Sequence, residues 1–349
     1  MRTNALSTLS FWNTPRIGVA RMQADLAQAN QEIVSGRYAD VGLALGSRTG
    51  LAVGLRQKTA ELGALRDSNN AASLRLGTSQ AVLKQIQAGA DDTLKALTGV
   101  PEDKRAGVLK DMAANGLSSL AALLNTSAGG QFVFAGDRTA QAPMAAYATS
   151  PASPAKSAVD AAFRAAFGMS QDSPGVSAIP EAAMAAFLDG PAFRGLFDEA
   201  AWGTTWSAAG TAPLTNQISL SETVETSVSA NAPALRKLAM AYVMASDLGA
   251  DNLSAAARSV LTTRVASLLG EASRGVITLQ ADLGRSQAAI TAANTRLESQ
   301  SSLLASQVAD MEGVDQAEAK TRVDRLSTQV QISYALTAQL RQLSLVNYL

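Results

Sequence analysis

The chain has 349 residues, with 29 Lys+Arg against 29 Asp+Glu, so it carries no net charge and sets up no field to draw in nucleic acid or an anionic membrane surface. It has no cysteine, which excludes a disulfide framework and thiolate chemistry. It has no histidine either, so a hydrolase or metalloenzyme would have to work with Asp, Glu, Lys, Ser and Tyr alone. Aromatic residues make up only 5% within a 47% hydrophobic total, a balance that suits thin Ala- and Leu-rich seams better than one large globular core. No stretch of apolar residues is long enough to span a bilayer, and the first fifteen residues do not read as a cleaved secretory signal.

In chain order, Pro15 suits the first turn of a helix capped by Asn13 or Thr14 and running to about Ser35, with an inward stripe of Val19, Met22, Leu26, Ala29 and Ile33. Gly36 stops it. Gly42, Gly46 and Gly50 follow, but their spacing matches neither a dinucleotide fingerprint nor a phosphate loop, and the stretch reads as a turn-rich link. From Leu55, every seventh residue is Leu55, Leu62, Asn69, Leu76, Leu83, Ala90 and Leu97, which predicts a long helix over 51–97. Asn69 is polar in an apolar seam and is expected to set register, because slipped pairings would strand it.

Gly99-Val100-Pro101 breaks that helix, and a third helix is expected over 102–126. Residues 128–130 read as a flexible exit and 131–136 as a short strand ending in a turn at Gly136-Asp137. Residues 140–213 hold seven of the ten prolines. Short helices are expected near 155–167, 180–188 and 192–199, and 204–208 with 214–220 are candidates to pair as strands across Gly210. Trp202 and Trp206 are expected to pack a small core belonging to this insert. Its carboxylates, Asp160, Glu181, Asp189, Asp198 and Glu199, form no nucleophile–base set, and surface charge explains them.

A helix over 233–248 precedes the stretch that organises the chain, 253–311. There Leu269, Val276, Leu283, Ile290, Leu297, Leu304 and Met311 repeat every seven residues, a pattern that chance gives about once in 10⁴ to 10⁵. A helix of this length must lie along a partner of similar length, and the 51–97 helix is that partner. A last helix is expected over 315–345. The fold expected is therefore mainly α: an elongated, coiled-coil-like bundle of long helices from both termini with a small mixed α/β central insert. Its parts would be an N-terminal assembly helix and linker (1–50), the two halves of the helical rod (51–130 and 221–312), the variable insert (131–220) and a C-terminal assembly helix (313–349).

This plan, with the stretches at 7–13, 35–46, 131–139, 230–242 and 334–349, resembles the flagellin superfamily, and within it the hook-associated protein 3 branch of alphaproteobacterial type. The resemblance spans both arms, about three quarters of the chain. Ala39-Asp40-Val41-Gly42 stands where filament flagellins carry an Asp-Asp-Ala-Ala-Gly type of segment, and the ending Leu-Ser-Leu-Val-Asn-Tyr-Leu also differs from theirs. The resemblance implies a structural role without catalysis, cofactor or metal. It implies an extracellular ring of copies that joins the hook, through a hook-side junction protein, to flagellin. It further implies delivery by the flagellar type III export apparatus with an export chaperone and no cleaved signal peptide, without nucleic-acid or membrane partners. The assembly surfaces expected are Leu6, Leu9, Phe11, Val19, Met22, Leu26 and Ile33 near the start and Leu336, Leu340, Leu343 and Leu345 near the end, because apolar faces without a partner mark interfaces. The alternatives are a flagellin filament subunit, an intracellular coiled-coil scaffold and, least supported by its residues, an enzyme housed in the insert.

Overall fold

The computed structural model describes the backbone of residues 8–100 and 102–346, and the side chains among them except those of 8–15, 98, 102–104, 106 and 340–346. In chain order the helices are α1 (Thr8–Ser35), α2 (Val41–Leu45), α3 (Thr49–Gly99) and α4 (Glu102–Leu124). A small hairpin follows, β1 (Ser127–Ala128) and β2 (Gln131–Phe132), and then α5 (Pro154–Phe167), α6 (Glu181–Asp189), α7 (Pro191–Arg194) and α8 (Glu199–Thr205). A second hairpin, β3 (Thr215–Gln217) with β4 (Thr223–Glu225), leads to α9 (Pro233–Asp247), α10 (Ala255–Glu312) and α11 (Gln316–Val346). The fold is a mainly α bundle built on long helices with a small α/β insert. Its residues group into two compact units, one of 64–296 and one of 1–63 with 297–349.

In the larger unit the heptad positions point inward. Leu76 and Leu83 of α3 and Leu269, Val276, Leu283 and Ile290 of α10 are buried. Polar side chains tie the two helices antiparallel, with Ser273 donating to Asp91 at 2.8 Å and Gln280 to Gln87 at 3.1 Å. α9 is buried on nearly every side, from Leu235 and Leu238 to Met244 and Ala245. Its residues 238–245 are apolar on every side, which marks the middle of a central helix and not a surface one.

Four expectations need correction. Helix α1 begins at Thr8, so Pro15 lies two turns inside it, where its missing N–H removes one helical hydrogen bond without ending the helix. Residues 128–130 are a tight turn instead of a loose exit. Gly129 and Gly130 take φ of +60° and +79°, the conformation a two-residue hairpin requires, and only residues 131–132 form the strand. The pairing of 204–208 with 214–220 does not form. Thr204 and Thr205 end α8, and β3 pairs instead with β4, the nearer partner along the chain, from Thr215–Glu225 to Gln217–Thr223. Residues 206–208 instead form an isolated bridge to 143–145, with Ala145 N–H donating to the Trp206 carbonyl at 2.9 Å and Ala208 N–H to the Pro143 carbonyl at 2.9 Å.

Finally, Trp202 and Trp206 do not enclose a core private to the insert. They stack at 5.1 Å, Trp206 stacks on Tyr147 at 5.0 Å, and Phe163, Phe187, Phe193 and Phe197 extend the ring contacts in a continuous series. This series joins one apolar cluster with the buried side chains of α3, α4, α9 and α10. Arg236 of α9 donates to the Phe197 carbonyl at 3.0 Å. A short Pro-rich segment buries too little on its own, so its aromatic rings complete the cover of α9.

Candidate assembly interface

In the smaller unit, α1 packs along α11, and a clasp joins the chain reversals at their ends. Gly36 ends α1 with φ +69°, a conformation that side chains bearing a Cβ rarely adopt. Gly313 ends α10, and a Cβ there would meet the Ala309 carbonyl oxygen at 2.7 Å. The two turns then bond to each other as a one-pair antiparallel bridge. Tyr38 N–H donates to the Glu312 carbonyl at 3.0 Å and Val314 N–H to the Gly36 carbonyl at 3.1 Å.

Two buried carboxylates lock this clasp. Glu32 is 3% exposed, accepts the Ala39 N–H at 3.2 Å and pairs with Arg322 of α11 at 3.1 Å. Glu312 is fully buried. Its Oε2 accepts from Arg56 of α3 and lies 3.9 Å from Arg37, while its Oε1 has no hydrogen-bond partner among the described residues. A carboxylate out of water is held only by such partners, so these pairs fix how the turns meet. Asp40 begins α2 by accepting the Leu43 N–H at 2.9 Å. Sequence reading passed over Glu32 and Glu312. The signal was present: each sits beside a seam residue, Ile33 or Met311, within a turn of a helix-ending glycine.

Among the expected assembly residues, Val19, Met22, Leu26 and Ile33 are half-buried on α1 beside the buried Ala29. Leu336 is 54% exposed on α11. The side chains of Leu6, Leu9, Phe11, Leu340, Leu343 and Leu345 lie outside the described residues. The α10 seam changes along its length. It is buried through Leu297, whereas Leu304 and Met311, in the smaller unit, are only half covered. Ile17, Val34, Leu43, Leu51, Val53, Leu303, Ile332 and Tyr334 of the same unit are exposed. Apolar surface thus gathers on the unit made from both ends of the chain.

The larger unit holds a charged cluster where the insert meets α9. Tyr147 donates to Asp247 at 2.5 Å, and Lys156 bridges Asp160 at 2.6 Å and Asp247 at 3.0 Å. Burial raises the Tyr147 phenol well above its ordinary value, and the Asp247 charge adds to this. Burial also raises Asp247, against the bonds from Tyr147 and Lys156. Burial pulls Lys156 down, but its bonds to Asp160 and Asp247 outweigh that and leave it raised. The cluster anchors the insert to α9 and offers no paired nucleophile and base. Among the described residues, no three His, Cys, Asp or Glu side chains are grouped to hold a metal, and no helix is long and apolar enough to cross a membrane.

The clasp joins helices from the two ends of the chain, and those same ends carry the family signature. Residues 6–139 match the bacterial flagellin N-terminal helical region and residues 266–349 the bacterial flagellin C-terminal helical region, together more than half the chain. The chain belongs to the flagellin superfamily and is a structural component of the bacterial flagellum. A solved structure assigned to a flagellar hook-associated protein from Vibrio parahaemolyticus is similar at 9% identity and a TM-score of 0.42, covering 77% of this chain and 96% of that one. No curated protein matches the sequence.

Proposed function

We propose that the chain is the hook–filament junction component: a ring of copies outside the cell that joins the hook-side junction protein to the first layer of flagellin. Delivery would run through the flagellar type III export apparatus, with an export chaperone. The observation that carries the choice of junction over filament is the segment Ala39-Asp40-Val41-Gly42, where filament flagellins differ. Here Asp40 caps a short helix directly beside the Glu312 clasp. The apolar surface on the smaller unit supports a role in packing between layers. Burying four leucines of the C-terminal stripe at about 25 cal/mol per Å² would contribute several kcal/mol per subunit.

Ending the chain after Thr328 tests this reading. The larger unit should stay folded, while cells keep hooks, lose filaments and release flagellin into the medium. A truncated strain with normal filaments would refute the junction role. A strain that swims normally after deletion of the whole gene would favour the second reading, a redundant filament subunit, which the flagellin family match favours equally.

A further inference from the structure

Three aromatic rings of the larger unit lie face to face in one column. Trp202 stacks on Trp206 with centroids 5.1 Å and planes 12° apart, and Trp206 stacks on Tyr147 at 5.0 Å and 9°. All three rings are buried. Faces in contact at this spacing give an electron a short path from ring to ring. The two ends of the column differ in a way that sets a direction. The Trp202 Nε1–H is buried and finds no acceptor among the described residues. The Tyr147 hydroxyl donates to Asp247 at 2.5 Å. Losing an electron makes either ring a strong acid, so the oxidised state settles where a proton can leave. An oxidised Trp202 keeps its proton and remains an unpaired positive charge in an apolar cluster. An oxidised Tyr147 hands its proton to the Asp247 carboxylate, which Lys156 holds in place at 3.0 Å.

We propose that Trp202, Trp206 and Tyr147 form a one-electron relay that moves oxidation of the buried indoles onto Tyr147, with Asp247 as the proton acceptor. A radical oxidant of the one-electron class, such as nitrogen dioxide or carbonate radical, takes one electron from Trp202 and is reduced by one. Glu199, Ala200, Gly203 and Thr204 of α8 are exposed, so such an oxidant comes within about 10 Å of the ring, one helix width. One electron then passes from Tyr147 through Trp206 to Trp202, and the phenolic proton moves to Asp247 Oδ2. Both indoles are restored, and the charge that remains is a neutral tyrosyl radical beside a neutral carboxylic acid. A small reductant such as ascorbate then supplies one electron, and Asp247 returns the proton. Tyr147 and Asp247 line a cavity of about 210 Å³ whose rim residues Ser118, Ala146 and Ala148 are exposed, which admits the reductant from solvent. The chain has no cysteine, so no thiol of its own competes for the oxidising equivalent. The relay spares the rings that cover α9 from lasting oxidation. It rests on the geometry of the larger unit and not on the junction reading.

Flash photolysis of the purified full-length chain tests the relay. Trp12→Phe leaves Trp202 and Trp206 as the only tryptophans, and a near-ultraviolet flash that only indoles absorb ionises them in place. The tryptophan radical signal should decay as a tyrosyl signal grows, at a rate independent of protein concentration. Adding Tyr147→Phe should abolish that growth in a chain of unchanged helicity. Trp206→Phe should slow it at least tenfold, and Asp247→Asn at least threefold. Trapping the radical with a nitroso compound, followed by peptide mass spectrometry, should place it on Tyr147 in the chain that keeps this tyrosine. That measurement stands even where a variant fails to fold. Added ascorbate should shorten the tyrosyl lifetime in proportion to its concentration. A tyrosyl signal that persists in Tyr147→Phe overturns the inference, as does trapping on another tyrosine. So does a tryptophan radical that decays with no tyrosyl growth, an unchanged rate in Trp206→Phe or Asp247→Asn, or a tyrosyl radical that ascorbate does not quench.

Discussion

Asn69 of α3, fully buried, donates to the half-buried Asn294 of α10 across 2.9 Å. The same Asn69 amide donates to the Ile218 carbonyl at 3.0 Å, and its oxygen accepts from Asn216 at 3.0 Å. One seam residue thus fixes two long helices and the β3–β4 hairpin in a single register. Asn69→Ala strands the Ile218 carbonyl and the Asn216 amide and should cost about 2–3 kcal/mol, read as a lower urea midpoint. Asn69→Leu should recover part of that stability while loosening register, seen as faster amide exchange at 215–225.

Gly116 of α4 faces the ring of the buried Tyr242 on α9, and a Cβ there would approach two ring carbons at 2.8 Å. Helix propensity favours alanine over glycine by about 1 kcal/mol, but overpacking a close helix contact costs about 1–3 kcal/mol. Packing should win, so Gly116→Ala lowers the melting temperature. Gly77→Ala, on α3 with open space around it, should raise it. Two shifts of the same sign would contradict this account.

The Tyr147 phenol keeps its proton in the folded chain, chiefly through burial and then through the charge of Asp247. A raised folded value means that the unfolded chain releases that proton first. The stability from this group is therefore complete below about pH 10 and falls as pH rises further, by about 1.4 kcal/mol per pH unit. Tyr147→Phe should cost about 1–2 kcal/mol at pH 7, because Asp247 loses one bond and keeps Lys156. Its stability should then fall less steeply than the parent's between pH 10 and pH 11.5, which urea titrations at each pH would show.

Arg56→Ala should leave the fully buried Glu312 with only the 3.9 Å contact to Arg37. Arg56 is half exposed and Arg37 can close part of the gap, so the cost is about 1–3 kcal/mol and local. Limited proteolysis should begin at 36–40 and 312–314 while the larger unit stays protected. Cleavage first inside 140–213 would show that the clasp does not govern local opening.

The long helices were legible because one physical rule wrote them: Leu76, Leu83, Leu269, Val276 and Leu283 recur every seven residues and are buried. Asn69 stood out as the polar exception in that series, and Gly36 as the stop. Pairings between distant segments left no such trace. Nothing local tells residues 206–208 to bond 143–145 in place of 214–220; the bridge lies beside the stacking of Trp206 on Tyr147, a contact between segments distant along the chain. The central place of α9 was written in its unbroken apolar run 238–245, which a search for amphipathic stripes passes over. Of the assembly surface, the half-buried stripe of α1 was visible as a pattern. The Glu312 and Arg56 pair, 256 residues apart in sequence, was not.

The distance along the chain between Asn69 and Asn294, 225 residues, also sets an order of events during folding. Helix α3 is complete at Gly99, but the α10 side chains that cover it begin more than 150 residues later. Closing loops of that size spends chain entropy before any contact repays it, so such pairings form late and slowly. Helix α3 therefore lacks its α10 partner while the second half of the molecule is still missing. Closure of the bundle comes last, after the final long helix has been made.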